Sequence, residues 1–163
     1  MINHPIFPLP CAKRGLLLLT PCPGTQGVTL ETSLLHLKAV GATVILTLMT
    51  KQELHRYKLD RLPLCSRAQG LRWFHLPIVD DAAPDGAFLD AWEQCKDDVH
   101  QRLDNNEAIV IHCKGGSGRT GLVAAQILIE RGESKADTIS RIQALRPNAF
   151  SRQVQREYIA HLL

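Results

Sequence analysis

Short apolar segments alternate with helix-like segments along this chain, and that alternation limits the folds it can adopt. The apolar segments predict strands at residues 16–20, 43–49, 71–78 and 108–112. Between them, apolar residues recur at helical spacing, most clearly over residues 87–103. Strands that are apolar on both faces and alternate with helices are typical of a parallel sheet. The sequence therefore predicts an α/β fold with a central, mainly parallel sheet flanked by helices.

The length and composition favour a single domain. The chain has 163 residues, of which 45% are apolar and 21% charged, and it contains no repeat or linker. Three prolines near the start predict an irregular N-terminal arm over residues 1–15, followed by one domain over residues 16–163. Further helical segments are predicted at residues 29–41, 50–57, 59–70, 119–131, 134–145 and 151–162.

The charge and the cysteines restrict the partners and the compartment. A formal charge of +3 suits an anionic ligand, but it is too weak to indicate nucleic acid. No apolar run approaches the roughly 18 residues of a membrane span. The cysteines are odd in number and scattered, which is typical of reduced thiols: Cys11, Cys22, Cys65, Cys95 and Cys113. We therefore expect a cytoplasmic protein that binds neither nucleic acid nor membrane.

One turn carries more glycine than a turn needs. In "IVIHCKGGSGRTGLVAAQILIE" (109–130), a strand runs into a helix, with Cys113 and Arg119 on either side of a glycine-rich segment. The glycines at 116, 118 and 121 fit a dinucleotide-binding motif, but the acidic residue expected about 20 positions later would fall in a helix. An ordinary turn with a buried cysteine leaves Arg119 unexplained, because a cation in the first helical turn opposes the helix dipole.

An anion-binding loop explains both residues. Backbone N–H groups of residues 114–119 can surround a phosphate, because glycine admits a ligand close to the backbone. Arg119 can bind two phosphate oxygens, and Cys113 would lie beneath the phosphorus, where the positive field favours its thiolate. Phosphate, sulfate or vanadate should therefore bind the loop formed by Lys114, Gly115, Gly116, Ser117, Gly118 and Arg119.

The residues His112-Cys113, five further residues and Arg119-Thr120 match the HCx5R(S/T) signature. The chain thus resembles the cysteine-dependent protein tyrosine and dual-specificity phosphatases. From about residue 16 onward it is similar to the cyclin-dependent kinase-associated phosphatase group, including its "CLPGC"-like and "PIADGGTPD"-like loops. The resemblance implies a dual-specificity phosphatase-like fold, a phosphocysteine intermediate, and neither metal nor cofactor.

The resemblance also implies a general acid on a loop. In the family this acid precedes a proline by four positions, which matches Asp80 and Pro84 in "VDDAAPDG" (79–86). Asp81 is the alternative. The family's tryptophan before the acid is replaced by Val79, and a family glycine by Ala82, which bears on how the loop closes.

Supporting roles follow from the same resemblance. Thr120 would hydrogen-bond the sulfur of Cys113 and help it to leave. His112 would set the geometry of the loop and the ionisation of the thiol, although packing alone would also explain it. Gln153 or Gln155 could position water.

For the substrate, we expect a phosphorylated protein. No tyrosine-bearing recognition loop of the tyrosine-specific type is visible, so we predict hydrolysis of phosphotyrosine and of phosphoserine or phosphothreonine. "HCKGGSGRTG" also resembles the lipid-phosphatase loop "HCKAGKGRTG", in which Lys114 matches one lysine but Ser117 replaces the second. The alternatives are therefore a phosphoinositide phosphatase and a binding module without turnover.

Overall fold

The computed structural model describes residues 3–162, so the predictions for residues 1, 2 and 163 lie outside the described residues. A five-stranded sheet has the order β1-β2-β5-β3-β4. Its strands are β1 (Phe7–Pro10), β2 (Leu16–Thr20), β3 (Ala42–Thr47), β4 (Arg72–His75) and β5 (Ala108–His112). β2, β5, β3 and β4 run parallel, and β1 pairs antiparallel with β2. The predicted mainly parallel α/β fold is confirmed.

Helices cover both faces of this sheet. Those within residues 3–162 are α1 (Leu30–Ala39), α2 (Lys51–Arg56), α3 (Leu62–Ala68), α4 (Gly86–Asp104), α5 (Gly118–Glu130), α6 (Lys135–Leu145) and α7 (Gln153–Ala160). One apolar core, which includes Phe88, Leu122 and Ile142, joins the sheet to α4, α5 and α6. A second core, which includes Leu34 and Leu62, joins the other face to α1 and α3. The sheet is therefore apolar on both sides, as its strand sequences indicated.

The N-terminal segment is more ordered than the sequence suggested. The prediction of an irregular arm is wrong for residues 7–10, which form β1 and pair with β2 from Phe7 opposite Leu19 to Pro10 opposite Leu16. Proline is compatible with an edge strand, because its missing N–H can be at a position that bonds to no neighbour. Pro8 and Pro10 thus stop the sheet at this edge instead of preventing the strand.

Polar residues gather where the parallel strands end. Thr20, His112, Thr47 and His75 terminate β2, β5, β3 and β4 and lie side by side in the strand register. Parallel α/β sheets bind ligands beyond the carboxyl ends of their strands. This edge, from which the loop after β5 emerges, is where a functional site is expected. No helix within residues 3–162 has both the length and the apolarity to span a bilayer.

Candidate active site

Cys113 lies at the bottom of the loop that joins β5 to α5. The residue is 4% exposed. Its Sγ accepts hydrogen bonds from the Gly116 N–H at 3.2 Å and from the Thr120 hydroxyl at 3.1 Å. Both donors favour a negatively charged sulfur over a neutral thiol. The structure therefore brings Thr120 to the position at which it can support a thiolate.

The glycines in and after the loop differ in backbone conformation and in how closely other residues approach them. Gly116 alone among the three between Cys113 and Arg119 has a positive φ, +78°. A Cβ at Gly116 would lie 2.5 Å from backbone atoms of Thr20 and Pro21, so the loop is pressed against the end of β2. Gly121 permits another close contact, since its Cβ would lie 2.5 Å from that of Ala149. Of these three glycines, Gly116 is thus the one whose backbone conformation requires glycine.

The carbonyl groups of the loop are bound from outside. The Cys22 N–H donates to the Lys114 carbonyl at 3.1 Å. Arg146, at the end of α6, donates to the carbonyls of Gly116 at 3.0 Å and Gly115 at 2.9 Å. These hydrogen bonds hold the carbonyls of residues 114–116 from outside the loop. Sequence reasoning missed Arg146, and nothing in its local sequence distinguishes it from other surface arginines.

Arg146 is itself fixed by two further contacts. It donates to the Ser117 hydroxyl at 2.8 Å, and its guanidinium lies 4.1 Å from the ring centre of Phe7. β1 therefore supports the phosphate loop through Arg146.

Replacing Arg146 with lysine should weaken anion binding, because lysine cannot reproduce the three hydrogen bonds of the guanidinium to the loop. An ammonium can keep part of these contacts, and the loss of one or two bonds at about 1 kcal/mol each should raise the inhibition constant of inorganic phosphate about tenfold. Arg141→Lys, on the same helix but bound to Glu133 and Pro10, is the control. Equal phosphate inhibition of Arg146→Lys and wild type would contradict the role given to Arg146.

Arg119 is buried at the start of α5 and is paired with Glu53 of α2. Its Nη1 and Nη2 donate to the two carboxylate oxygens of Glu53 at 2.7 and 2.9 Å. Nη1 also donates to the Ile78 carbonyl at 2.9 Å. This fork explains how a cation is accommodated at the positive end of a helix. Sequence reasoning found Arg119 but not the carboxylate that orients it.

Glu53 has a local role as well as this distant one. It completes a capping box at the start of α2 with Thr50, whose backbone N–H donates to Glu53 Oε1 at 3.1 Å. Burial acts to raise the pKa of Glu53, but the hydrogen bonds from Arg119 and Thr50 outweigh it, and the pKa is lowered. The side chain of Glu53 is therefore ionised at neutral pH. The T-x-x-E pattern directly after β3 was the sequence signal that could have revealed it.

The loop after β4 carries the predicted acid to the same cavity. An Asp80 carboxylate oxygen lies 3.3 Å from Arg119 Nη2, and 68% of its side chain is exposed. Asp81 instead binds Arg152 at 3.0 Å, so Asp80 is the carboxylate that lies next to Arg119. The left-handed position of the loop is Asp81, with a φ of +64°, and not Ala82. The absence of a glycine at 82 therefore places no strain on the loop.

Of the two candidate glutamines, only Gln155 reaches the cavity. Its side chain is buried, and its Nε2 donates to the Ala82 carbonyl at 3.1 Å. Its Oε1 is buried without a hydrogen-bond partner among the described residues, and it lies beside Gly118. Gln153 is exposed and binds Glu157.

His112 is a buried, neutral link in a chain of hydrogen bonds beneath the loop. Burial lowers the pKa of His112 to about 4. Its Nδ1–H donates to the Cys113 carbonyl at 3.1 Å, so its Nε2 accepts from the Thr47 hydroxyl at 2.7 Å. Thr47 in turn accepts from Trp73 Nε1 at 2.8 Å. The tautomer is fixed, because a carbonyl can only accept.

A cavity of about 280 Å³ lies above Cys113. Its lining includes Asp80, Lys114, Ser117, Arg119 and Gln155. No group of three or more metal-ligand side chains occurs within residues 3–162. The cavity is lined by a buried thiol, a fixed guanidinium and the backbone of a glycine-rich loop, a combination suited to a phosphate ester.

Comparison with known proteins agrees with this geometry. The family model described as "Polymorphic toxin system, DSP-PTPase phosphatase" matches residues 24–133. The chain belongs to this family. The recognition of the cysteine-dependent phosphatase family from the HCx5R signature is confirmed.

Individual proteins with similar sequences or structures include several phosphatases. Cyclin-dependent kinase inhibitor 3 of Sus scrofa is 34% identical over 68% of this chain, which corresponds to 49% of that protein. Protein tyrosine phosphatase type IVA 3 of Mus musculus is 28% identical over 77% of this chain and 68% of its own length. The crystal structure of kinase associated phosphatase, with its catalytic-site cysteine replaced by serine, has a TM-score of 0.85 and 25% identity, and the match covers 98% of this chain and 93% of that one. The chain spans about half the length of the kinase-inhibitor relatives.

Proposed function

We propose that this protein is a cysteine-dependent protein phosphatase that hydrolyses phosphotyrosine and phosphoserine or phosphothreonine. The observation that carries the proposal is the placement of Cys113 Sγ beneath a glycine loop, with donors from Gly116 and Thr120 and with Arg119 held by Glu53. A buried structural cysteine needs none of these partners. A phosphate nucleophile needs all of them.

In the first step, the Cys113 sulfur attacks phosphorus and the bond from phosphorus to the ester oxygen breaks. The loop N–H groups and Arg119 stabilise the charge on the transferring phosphoryl oxygens. Asp80 donates a proton to the leaving oxygen, which departs as an alcohol or phenol. The product is a phosphocysteine at residue 113.

In the second step, water attacks the phosphocysteine and the phosphorus–sulfur bond breaks. Asp80, now ionised, accepts the proton of the water, and inorganic phosphate is released. The unpartnered Oε1 of Gln155 can accept the other hydrogen of that water. The Thr120 hydroxyl stabilises the departing thiolate of Cys113.

Protein substrates are favoured over phosphoinositides by the charges around the loop. The Lys114 ammonium lies over the Tyr57 ring at 4.9 Å, and Ser117 accepts a hydrogen bond from Arg146. The loop thus lacks the second lysine of the lipid-phosphatase pattern. Binding without turnover is not favoured, because nucleophile, guanidinium and acid are all present. The names of the relatives likewise support a substrate that is a phosphorylated protein.

The test is hydrolysis of a small aryl phosphate between pH 5 and pH 8, in the presence of a metal chelator. Wild type should turn over. Asp80→Asn should lower kcat about 100-fold or more, because asparagine has no carboxyl proton to give to the leaving oxygen. Acid-quenched wild type should carry phosphate on Cys113 by mass spectrometry.

Asp81→Asn is the matched control, and it should keep the wild-type kcat. If Asp81→Asn loses turnover and Asp80→Asn keeps it, then the acid is Asp81. Wild type that binds vanadate but hydrolyses neither aryl phosphate nor any phosphopeptide would refute the enzymatic proposal.

A further inference from the structure

A second cavity, of about 360 Å³, opens directly beside the one above Cys113. Gln52, Arg56 and Tyr57 line it from the side of α2, and Val79 lines it from the acid loop. Asp80 and Lys114 line both cavities. We call this second cavity the flanking groove. When the phosphate of a substrate is bound above Cys113, the residue next to the phosphorylated one can lie in the flanking groove.

The flanking groove carries uncompensated positive charge. Neither Arg56 nor Lys114 forms an ion pair with a carboxylate within residues 3–162. The carboxylate of Glu53 also borders the groove, but both of its oxygens bind Arg119. The Asp80 carboxylate lines the groove as well, and it lies 3.3 Å from Arg119 Nη2. Both carboxylates of the groove are therefore set against Arg119, while Arg56 and Lys114 face the groove without a carboxylate partner within residues 3–162.

The backbone of Lys114 belongs to one cavity and its side chain to the other. Its backbone belongs to the phosphate loop, where its carbonyl accepts the Cys22 N–H. Its ammonium lies 4.9 Å from the centre of the Tyr57 ring, on the side of the groove. The Tyr57 and Val79 side chains are exposed there and provide apolar surface. A ligand group that matches this surface has a short apolar stem and an anionic end.

We infer that the flanking groove binds an acidic side chain next to the phosphorylated residue, so that the preferred substrates are acidic phosphopeptide segments. The inference rests on the proposed function, since it concerns the same catalytic cavity. Glutamate and aspartate have the required stem and charge, and they would sit between Arg56 and Lys114. Lysine at the same substrate position would be repelled.

The test uses three phosphotyrosine peptides that differ only in having glutamate, glutamine or lysine on both sides of the phosphotyrosine. Binding is measured by fluorescence anisotropy with the Cys113→Ser protein, and kcat/KM is measured with the Cys113 protein. We expect the glutamate peptide to bind roughly fivefold to tenfold more tightly than the lysine peptide. That ratio should shrink when the ionic strength is raised from about 0.02 M to about 0.2 M.

Arg56→Glu should abolish or reverse the ranking of the three peptides. Arg14→Glu makes the same charge change in the turn between β1 and β2, remote from the strand ends that carry the site, and it should leave the ranking intact. An unchanged ranking in Arg56→Glu, or equal binding of all three peptides to the Arg56 protein, overturns the inference. So does turnover of phosphoinositide vesicles without turnover of any peptide. Since binding is read with the Cys113→Ser protein, loss of turnover alone would count against the proposed function and not against the groove.

Discussion

Replacing Cys113 with serine is expected to lower kcat for an aryl phosphate by about five orders of magnitude, the scale of loss when a catalytic nucleophile is removed. A serine hydroxyl is essentially un-ionised at neutral pH, and the groups within residues 3–162 that hydrogen-bond the Cys113 sulfur are donors, which cannot remove its proton. The two donors to the sulfur, Gly116 N–H and the Thr120 hydroxyl, can both bind the serine oxygen instead. The fold and the phosphate site should therefore survive, and the variant should still bind phosphate and retain phosphorylated substrates.

Steady-state kinetics, thermal unfolding and phosphate binding would be compared for wild type, Cys113→Ser and Cys65→Ser. Cys65 is the matched control, because it lies on α3 and is also a free thiol. Cys65→Ser should keep wild-type turnover. Substantial turnover by a folded Cys113→Ser protein would show that the phosphoryl group does not pass through residue 113.

Much of this site was predictable because its elements are local in sequence. A strand, a glycine turn and a helix fall within residues 108–130, so a one-dimensional pattern specifies Cys113 and Arg119 together. Asp80 lies outside this segment. The family resemblance implied it as the acid through its spacing to Pro84, and that spacing is also local in sequence. The alternation of apolar strands and helices predicted the parallel sheet for the same reason, since each strand and helix shows its period within its own segment.

The residues that support the site were not predictable in this way, because their partners are distant in sequence. Glu53 meets Arg119 across 66 positions, and Arg146 meets Gly116 across 30. Arg146 has no local signature that distinguishes it from a solvated surface charge. The T-x-x-E pattern marks Glu53 as a capping residue, but it does not indicate that Arg119 is its partner. β1 was missed because prolines argue against a strand unless the strand is known to be at an edge, which is a property of the assembled sheet.

Glu53 gives the second large expected effect. Glu53→Ala should lower the free energy of unfolding by about 3 kcal/mol, because removing one partner of a buried ion pair leaves the other uncompensated. Arg119 is 2% exposed and would retain only the Ile78 carbonyl and the exposed Asp80. The same change should lower kcat/KM about 100-fold, since a displacement of the guanidinium by about 1 Å is enough for such a loss. Urea unfolding and aryl phosphate kinetics provide the two measurements.

A double-mutant cycle separates the ion pair from the capping box at Thr50. Glu53→Ala, Arg119→Ala and the double variant should show a coupling of roughly 2 kcal/mol, whereas loss of the cap alone would make the two substitutions additive. Glu31→Ala, which breaks an exposed pair with Arg61, should have no measurable effect on the free energy of unfolding or on kcat/KM.

The pH dependence of stability tests the same pair with its sign determined in advance. Because the pKa of Glu53 is lower in the folded protein than in the unfolded chain, the pair stabilises the fold fully above the ordinary glutamate pKa of about 4.3. That contribution is lost as the pH falls through the lowered pKa of the folded state. The difference in unfolding free energy between wild type and Glu53→Gln should therefore be constant near neutral pH and should close under acid conditions. A difference that widened in acid would mean that Glu53 is protonated in the fold, and that Arg119 is oriented for phosphate by the Ile78 carbonyl and Asp80 alone.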